Sequence, residues 1–133
     1  MSKIIQIVNS LPNLLPLRPA DENQINDAEN RLRISFTEEY KEYLAEFGAI
    51  LAEGIELSGI AKSDHRNVVA LTQKEWSINP KVPHNMYVIE NTYMDGIVVW
   101  QDAGGVIYQS RPSMEPIKLA DSLSDYLRSR MEQ

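Results

Sequence analysis

The sequence predicts an α+β fold in which an antiparallel, possibly mixed, β-sheet packs against helices. Apolar residues recur every three or four positions in the first half of the chain and again near its end, as in amphipathic helices. Between these parts, residues 86–109 contain short runs rich in β-branched and aromatic residues, separated by glycine-containing turns. A chain of 133 residues is long enough for one core, so we expect a single domain, residues 1–133.

The first third of the chain contains one well-marked helix and two less regular segments. Residues 3–9 fit either a short helix or a strand. The prolines in residues 12–19 predict an irregular segment, because proline restricts the backbone and cannot donate a hydrogen bond. A helix is predicted from Asp21 to about Arg33, with Gln24 in the reciprocal position of a capping box.

The strongest helix signal lies between residues 36 and 54. Thr37 is suited to cap the first turn, and Gly48 stands where a helix commonly ends. Apolar residues at intervals of three and four share one side of this helix and are expected to be buried: Tyr40, Tyr43, Leu44 and Phe47. Just before it, Ile34 and Phe36 are expected to fill the junction with the preceding helix.

The other side of this helix is acidic. Glu38, Glu42 and Glu46 follow each other at intervals of four, and each like-charge pair costs about 0.2–0.5 kcal/mol. Residues 38–56 contain six acids and one base, a local charge of −5 out of −6 for the chain. Such a run is commonly a solvated helix face, but it also suits docking to a basic protein. Negative charge repels phosphate backbones, so we expect no direct binding of nucleic acid.

Strand signals dominate the second half. Residues 50–57, with glycines at their bend and end, predict a short strand or a pair of strands, whereas residues 67–76 fit a brief helix capped by Asn67 or an extended segment. Strands are predicted at residues 86–90, 97–101 and 106–109, and a last one at 115–119. The Asp-Ala-Gly-Gly sequence at 102–105 predicts the turn of a hairpin.

A closing helix is predicted from Asp121 or Ser122. Its spacing places four residues on one face: Leu123, Tyr126, Leu127 and Met131.

The order of these elements resembles the SUKH superfamily, which is named for fungal cell-wall assembly regulators and bacterial immunity proteins. That family usually has Leu-Pro before the main helix, Phe-Leu inside it and Asn-Gly at its end. Phe36-Thr37, Tyr43-Leu44 and Phe47-Gly48 occupy these positions here. Further on, IVVWQDAGGVIYQS resembles the family's two strands around an Asp-x-x-Gly turn, and SLSDYLRSRM resembles its closing Ser-Phe-x-x-Tyr-Leu helix.

The sequence lacks the usual signals of cofactor and metal chemistry. There is no cysteine, which excludes disulfides and thiolate sites and suits a reducing cytoplasm. His65 and His84 are far apart and no carboxylate stands at ligand spacing, so we expect no metal. No P-loop, G-x-G-x-x-G or G-x-S-x-G sequence occurs, so we expect no cofactor. The first twenty residues are interrupted by prolines and match neither a signal peptide nor a membrane span.

Carboxylates and tryptophans in the sequence offer two alternatives to a protein-binding function, a hydrolase site and a sugar-binding surface. Glu90, Asp95 and Asp102 fall in the strand region, and a glycoside hydrolase needs only two carboxylates. Asp95 and Asp102 also fit turns, however, and carboxylates are frequent in an acidic chain. Trp76 and Trp100 suit a sugar-stacking surface, but they are more typical of core packing. We therefore expect no catalytic residue.

The resemblance implies an immunity-type protein that binds a cognate bacterial toxin, often a nuclease, and neutralises it by stoichiometric occlusion. An acidic inhibitor suits a basic toxin, because its carboxylates can replace phosphates. The expected partner-binding residues are Glu38, Glu42, Glu46, Glu53, Glu56, Glu90, Asp95 and Asp102. A regulatory protein-interaction adaptor with the same fold, or a small hydrolase using paired carboxylates, stays open as an alternative.

Overall fold

The computed structural model describes residues 2–132, in which five α-helices alternate with seven short strands. The helices are α1 (Lys3–Asn9), α2 (Glu22–Leu32), α3 (Glu38–Phe47), α4 (Val68–Ile78) and α5 (Leu123–Met131). The strands are β1 (Leu15–Pro16), β2 (Ile50–Ala52), β3 (Ile55–Leu57), β4 (Met86–Asn91), β5 (Val98–Asp102), β6 (Ile107–Ser110) and β7 (Ile117–Ala120). This architecture confirms the predicted α+β class.

The strands form two antiparallel sheets. One has the order β1-β2-β3 and the other β4-β5-β6-β7, so neither is mixed. The two sheets meet where the Ser58 amide, just after β3, donates to the Ile89 carbonyl of β4 at 2.8 Å. Side-chain atoms strengthen this junction, because the Ser58 hydroxyl donates to the Val88 carbonyl at 2.7 Å.

The prediction that residues 12–19 are irregular throughout is wrong at β1. Leu15 and Pro16 pair with Leu51 and Ile50 of β2. Proline is compatible with this position because β1 is an edge strand, where the missing N–H is not needed by a neighbour. The strand has only two residues and depends on a partner far along the chain, so no local pattern marks it.

The predicted helix caps are present. The Asp21 carboxylate accepts from the Gln24 amide at 2.8 Å, and the Gln24 side chain accepts from the Asp21 amide at 3.0 Å, which completes the capping box. Thr37 Oγ1 accepts from the Tyr40 amide at 3.0 Å. The start of α3 is therefore fixed by its own sequence.

Both ambiguous segments are helical. Residues 3–9 form α1, capped by Ser2, and α4 begins after Asn67. The Asn67 side-chain oxygen accepts from the amides of Val69 and Ala70 at 2.9 and 3.2 Å. These short-range bonds favour a helix at α4 over the extended alternative.

The four-stranded sheet has a core on each face. The larger core lies between this sheet and helices α1, α2, α3 and α5. A smaller one lies against α4 and consists of Leu71, Val82, Met86, Val88, Val98 and Trp100. Trp100 is fully buried, and its indole N–H donates to Ser110 Oγ at 2.8 Å.

Helix α3 is oriented as predicted. Its aromatic and leucine side chains are buried, while Glu38, Glu42 and Glu46 are exposed. The hydroxyl of Tyr43 donates to the Ser58 carbonyl at 3.0 Å, so α3 is hydrogen-bonded to the junction of the two sheets. Of the four residues that the spacing places on one face of α5, Leu123, Tyr126 and Leu127 are buried, whereas Met131, the last residue of the helix, is 44% exposed.

We expect Phe47→Ala to remove about 3–5 kcal/mol from the free energy of unfolding, because it leaves a cavity where a 5% exposed ring fills the core. Urea denaturation measures this loss. Glu46→Ala, at an exposed position of the same helix, is the control and should change the midpoint little. An unchanged melting temperature for Phe47→Ala would contradict the core assignment.

Two glycines allow a second test of packing. Gly48 and Gly54 have φ of +74° and +73°, a range that L side chains rarely adopt, so alanine is strained at either site. A Cβ at Gly48 would lie 1.9 Å from the Arg18 carbonyl oxygen, whereas a Cβ at Gly54 has no heavy atom within 4 Å. Gly48→Ala should therefore lose more stability than Gly54→Ala in urea denaturation. Equal losses would show that the Arg18 segment moves freely.

Candidate partner-binding site

A cleft of about 640 Å³ opens between the β2–β3 hairpin, α5 and one face of the four-stranded sheet. All four strands of that sheet contribute to its lining: Glu90 and Asn91 from β4, Val99 from β5, Gln109 from β6 and Leu119 from β7. Tyr126 and Arg130 contribute from α5. The cleft is therefore built where three parts of the fold meet.

A β-bulge turns Glu90 toward this cleft. Val88 pairs with Trp100 and packs in the small core against α4. In a regular strand Glu90 would face the same side, since side chains alternate with a period of two. The register shifts between Val88 and Glu90, so Glu90 lies opposite Val99 on the face toward α5.

The carboxylate of Glu90 is buried and accepts from three donors. Its Oε1 accepts from the Tyr126 hydroxyl at 2.5 Å and from the guanidinium of Arg130. Its Oε2 accepts from the Glu56 amide at 3.0 Å. Because Glu90 is only 3% exposed, these internal partners, and not solvent, stabilise its charge.

Arg130 and Tyr126 complete this cluster. Arg130 also donates to the Gly54 carbonyl and, at 2.7 Å, to the Tyr126 hydroxyl. Burial, and then the neighbouring Glu90 carboxylate, raise the pKa of Tyr126, so its hydroxyl stays protonated as a donor. Burial alone lowers the pKa of Arg130, but Glu90 and Tyr126 outweigh that effect and raise it. At the floor of the cleft, Glu90, Tyr126 and Arg130 are therefore hydrogen-bonded to one another, and the negative charge of Glu90 is balanced by the positive charge of Arg130.

The mouth of the cleft is apolar and exposed. Tyr93 and Met94, from the loop between β4 and β5, are 59% and 65% exposed. Leu119 of β7 is 43% exposed, and Ile97 is half-buried. Large apolar side chains that share one depression and remain exposed are typical of an interaction surface.

Seven of the eight predicted partner-binding acids fall into two groups. The helix acids, Glu38, Glu42 and Glu46, lie on the exposed side of α3. Glu38 is 3.8 Å from the Lys41 ammonium, whereas Glu42 and Glu46 make no ion pair within residues 2–132.

The cleft acids are Glu53, Glu56, Glu90 and Asp95. Glu56 and Glu90 line the cleft, and Glu53 and Asp95 are exposed next to the lining residues Gly54 and Met94. Glu56 lies 3.6 Å from the Arg66 guanidinium and is half-buried. Glu90 is held inside by the network above, so the carboxylates open to a partner at this site are those of Glu53, Asp95 and, in part, Glu56.

Asp102 belongs to neither group. Its Oδ1 accepts from the amides of Gly104 and Val106, both at 3.0 Å, and so fixes the turn between β5 and β6. This is the turn that the sequence predicts, with Gly105 at φ +97°.

The carboxylates considered for catalysis either have structural roles or lie exposed. Asp95 lies in an exposed loop at φ +55°, Asp102 organises a turn, and Glu90 is matched by Arg130. Trp100 is fully buried, which excludes it as a stacking surface. Trp76 is half-buried, and its ring stacks on His84 with centroids 4.3 Å apart.

Some residues of the site carry no sequence signal. Arg130 and Glu90 are forty positions apart, and only the bulge brings them together. Glu39 is another case: its carboxylate accepts from the Ser124 amide at 3.0 Å and from the Ser124 hydroxyl at 2.5 Å, which ties α3 to the first turn of α5. In the sequence Glu39 is an ordinary first-turn acid.

Residues 2–132 contain neither a metal-binding cluster nor a membrane-spanning helix. No three histidine or carboxylate side chains converge there in a way that would hold a metal ion. No helix in that range combines the length and the apolar character needed to cross a membrane.

Comparison with known proteins gives one finding. The model of a family described as SUKH_5, SMI1-KNR4 cell-wall, matches residues 1–132. None of the curated proteins matches the chain.

We expect Arg130→Met to cost about 3–5 kcal/mol of unfolding free energy, because it leaves the Glu90 carboxylate buried without a cation. The double variant Glu90→Gln with Arg130→Met should be more stable than Arg130→Met alone, since it removes the uncompensated charge. Urea denaturation of the set measures the coupling. Arg128→Met, at an exposed position of α5, is the control; an Arg130→Met loss as small as this control would contradict the network.

Proposed function

Since the chain belongs to the SMI1-KNR4 cell-wall family, SUKH_5, we propose that it is an immunity-type protein that neutralises a basic bacterial toxin. The family suggests an immunity-type or cell-wall-related protein that acts by protein–protein interaction. The proposed toxin is a nuclease, and the proposed place of encounter is the cytoplasm. Neutralisation is by occlusion of the toxin in a stoichiometric complex, without turnover.

The observation that carries this proposal is the exposed acidic side of α3. Glu42 and Glu46 are one turn apart, exposed and without an ion pair in the described part of the chain. Like charges at this spacing disfavour the helix slightly, whereas they favour contact with a basic surface. A surface that binds nucleic acid is basic, so carboxylates at this spacing can take the place of phosphates.

The cleft acids support the same partner chemistry from a second position. Glu53 and Asp95 are exposed beside a depression with an apolar mouth. An interface commonly combines a desolvated apolar centre with a charged rim, the first giving affinity and the second orientation. The neighbouring gene distinguishes the immunity function from the adaptor alternative. If that gene encodes a toxin-like carboxyl-terminal domain, the immunity function is favoured; if it does not, the adaptor is favoured.

The test uses two charge-reversed variants, Glu42→Lys with Glu46→Lys and Glu53→Lys with Asp95→Lys. Each raises the net charge from −6 to −2. We expect at least one to lower the association rate with the neighbouring gene's toxin domain by about tenfold or more, because exposed charges govern encounter. Stopped-flow binding and rescue of toxin-expressing cells are the measurements.

The matched control is Glu22→Lys with Asp64→Lys, which makes the same charge change at exposed positions outside both groups. It should bind at close to the wild-type rate. All three variants should keep a cooperative thermal melt, because exposed charges contribute only about 0–1 kcal/mol to folding. If both acidic variants associate with the toxin domain as fast as the control, these acids are only solvated, and the proposal that they dock the toxin is wrong.

A further inference from the structure

Strand β7 forms an open edge of the four-stranded sheet. It pairs with β6 on one side, and no strand of residues 2–132 pairs with its other side. An edge strand presents unpaired backbone N–H and C=O groups, to which another extended chain can bind. The outer edge of the other sheet, β1, is blocked, since it has two residues and one is Pro16.

Strand β7 presents exposed apolar side chains that a partner can contact. Ile117 lies opposite Gln109, which lines the cleft, and is 57% exposed; Leu119 also lines the cleft. Proteins commonly protect an edge strand with charges that face a would-be partner. Two protecting features are present on β7: the register shift against β6 leaves Leu119 without a partner residue, and Lys118 is charged. The Lys118 ammonium is 2.6 Å from the Asp121 carboxylate, so part of its protection is neutralised.

The apolar surface continues from β7 onto the neighbouring loops. Tyr93 and Met94 share the cleft with Leu119. The loop that carries them packs on the loop before β7, because a Cβ at Gly96 would lie 2.7 Å from the Pro112 ring. The strand edge and the cleft mouth therefore form one surface.

Charge identifies the kind of chain that fits this surface. The cleft acids number four, and the guanidiniums beside them are those of Arg130 and Arg66, both already paired. Next to the lining residues of the mouth are two exposed acids, Glu53 and Asp95, and the exposed Arg111 adjoins Pro112 on the neighbouring loop. This complementarity favours a basic segment over an acidic one or a second copy of this acidic chain.

We infer that β7 and the cleft mouth form a strand-addition site for an extended, basic segment of the partner. The segment pairs with the free edge of β7, and every second side chain faces the cleft because strand side chains alternate. Those side chains are apolar and pack on Ile117, Leu119 and Met94, while a flanking lysine or arginine meets Glu53 or Asp95. That the partner is a toxin rests on the proposed function; the pairing itself does not.

The test selects binders of the full chain from phage-displayed random linear peptides. We expect a consensus of alternating apolar residues with a basic residue at one end. Ile117→Lys with Leu119→Lys should weaken binding of a selected peptide by about tenfold or more in fluorescence anisotropy. The matched control is Leu15→Lys with Ile78→Lys, which adds the same charge at sites 63% and 50% exposed and should leave binding unchanged.

Methylation of the peptide's backbone amides separates strand pairing from simple side-chain docking. Methyl groups on one alternate set of amides should abolish binding and those on the other set should be tolerated, since only one edge of the peptide meets β7. Amide hydrogen exchange of residues 117–120 should slow in the complex. Equal tolerance of both methylated sets, or binding that survives Ile117→Lys with Leu119→Lys, overturns the inference.

Further results would identify what binds at β7 and would distinguish failure of this inference from failure of the proposed function. A dimer of the free chain in sedimentation that Ile117→Lys with Leu119→Lys dissociates would make a second copy the occupant and overturn the inference. If that variant loses peptide binding but still protects toxin-expressing cells, β7 stands as a strand-addition site, but the toxin is overturned as its partner while the proposed function stands. If wild-type protein does not protect cells, the proposed function fails, and the peptide results alone judge the strand-addition site.

Discussion

The buried carboxylate of Glu90 is the constraint on which the rest of the cleft depends. Burying an ion costs several kcal/mol unless its lone pairs are matched, and here the donors to the β4 carboxylate come from two other elements, β3 and α5. The bulge in β4, the amide of Glu56 in β3 and the last turn of α5 must therefore be in place together. Loss of the Arg130 contact leaves a buried charge unpaired, and loss of the Glu56 amide leaves Oε2 of that carboxylate without its hydrogen bond.

The acidic residues of this chain are of two kinds: some stabilise the fold through internal hydrogen bonds, and others are exposed to solvent. Glu90, Glu39 and Asp102 accept hydrogen bonds from buried or backbone donors, and their substitution acts first on stability. Glu42 and Glu53 are exposed, so their charge acts mainly through the field around the protein. The sequence shows all of these as similar members of one acidic chain, and burial alone distinguishes them.

Features that depend on contacts between residues close in the sequence could be predicted, and features that depend on distant residues could not. The starts of α2 and α3 were predictable because Asp21 and Thr37 bond to amides three residues away. The β5–β6 turn was predictable for the same reason. Strand β1 and the contact of Arg130 with Glu90 were not, because each depends on a partner tens of residues away. The bulge in β4 was not either, because it shows only in the pairing register with β5. The acidic side of α3 was predictable as a surface, since helical spacing fixes which side the aromatic residues bury.

The two kinds of partner contact proposed for this chain act on different steps of binding. Carboxylates on an exposed face raise the association rate, but at physiological ionic strength their reach is only about 8 Å. Hydrogen bonds along a strand edge and apolar side chains packed at a cleft mouth form after encounter, so they slow dissociation. A nuclease inhibitor must both reach its target ahead of nucleic acid and remain bound in its presence. In the proposed function the exposed acids serve the first need and strand addition at β7 serves the second, because an edge already formed in the free protein loses little entropy when a strand is added.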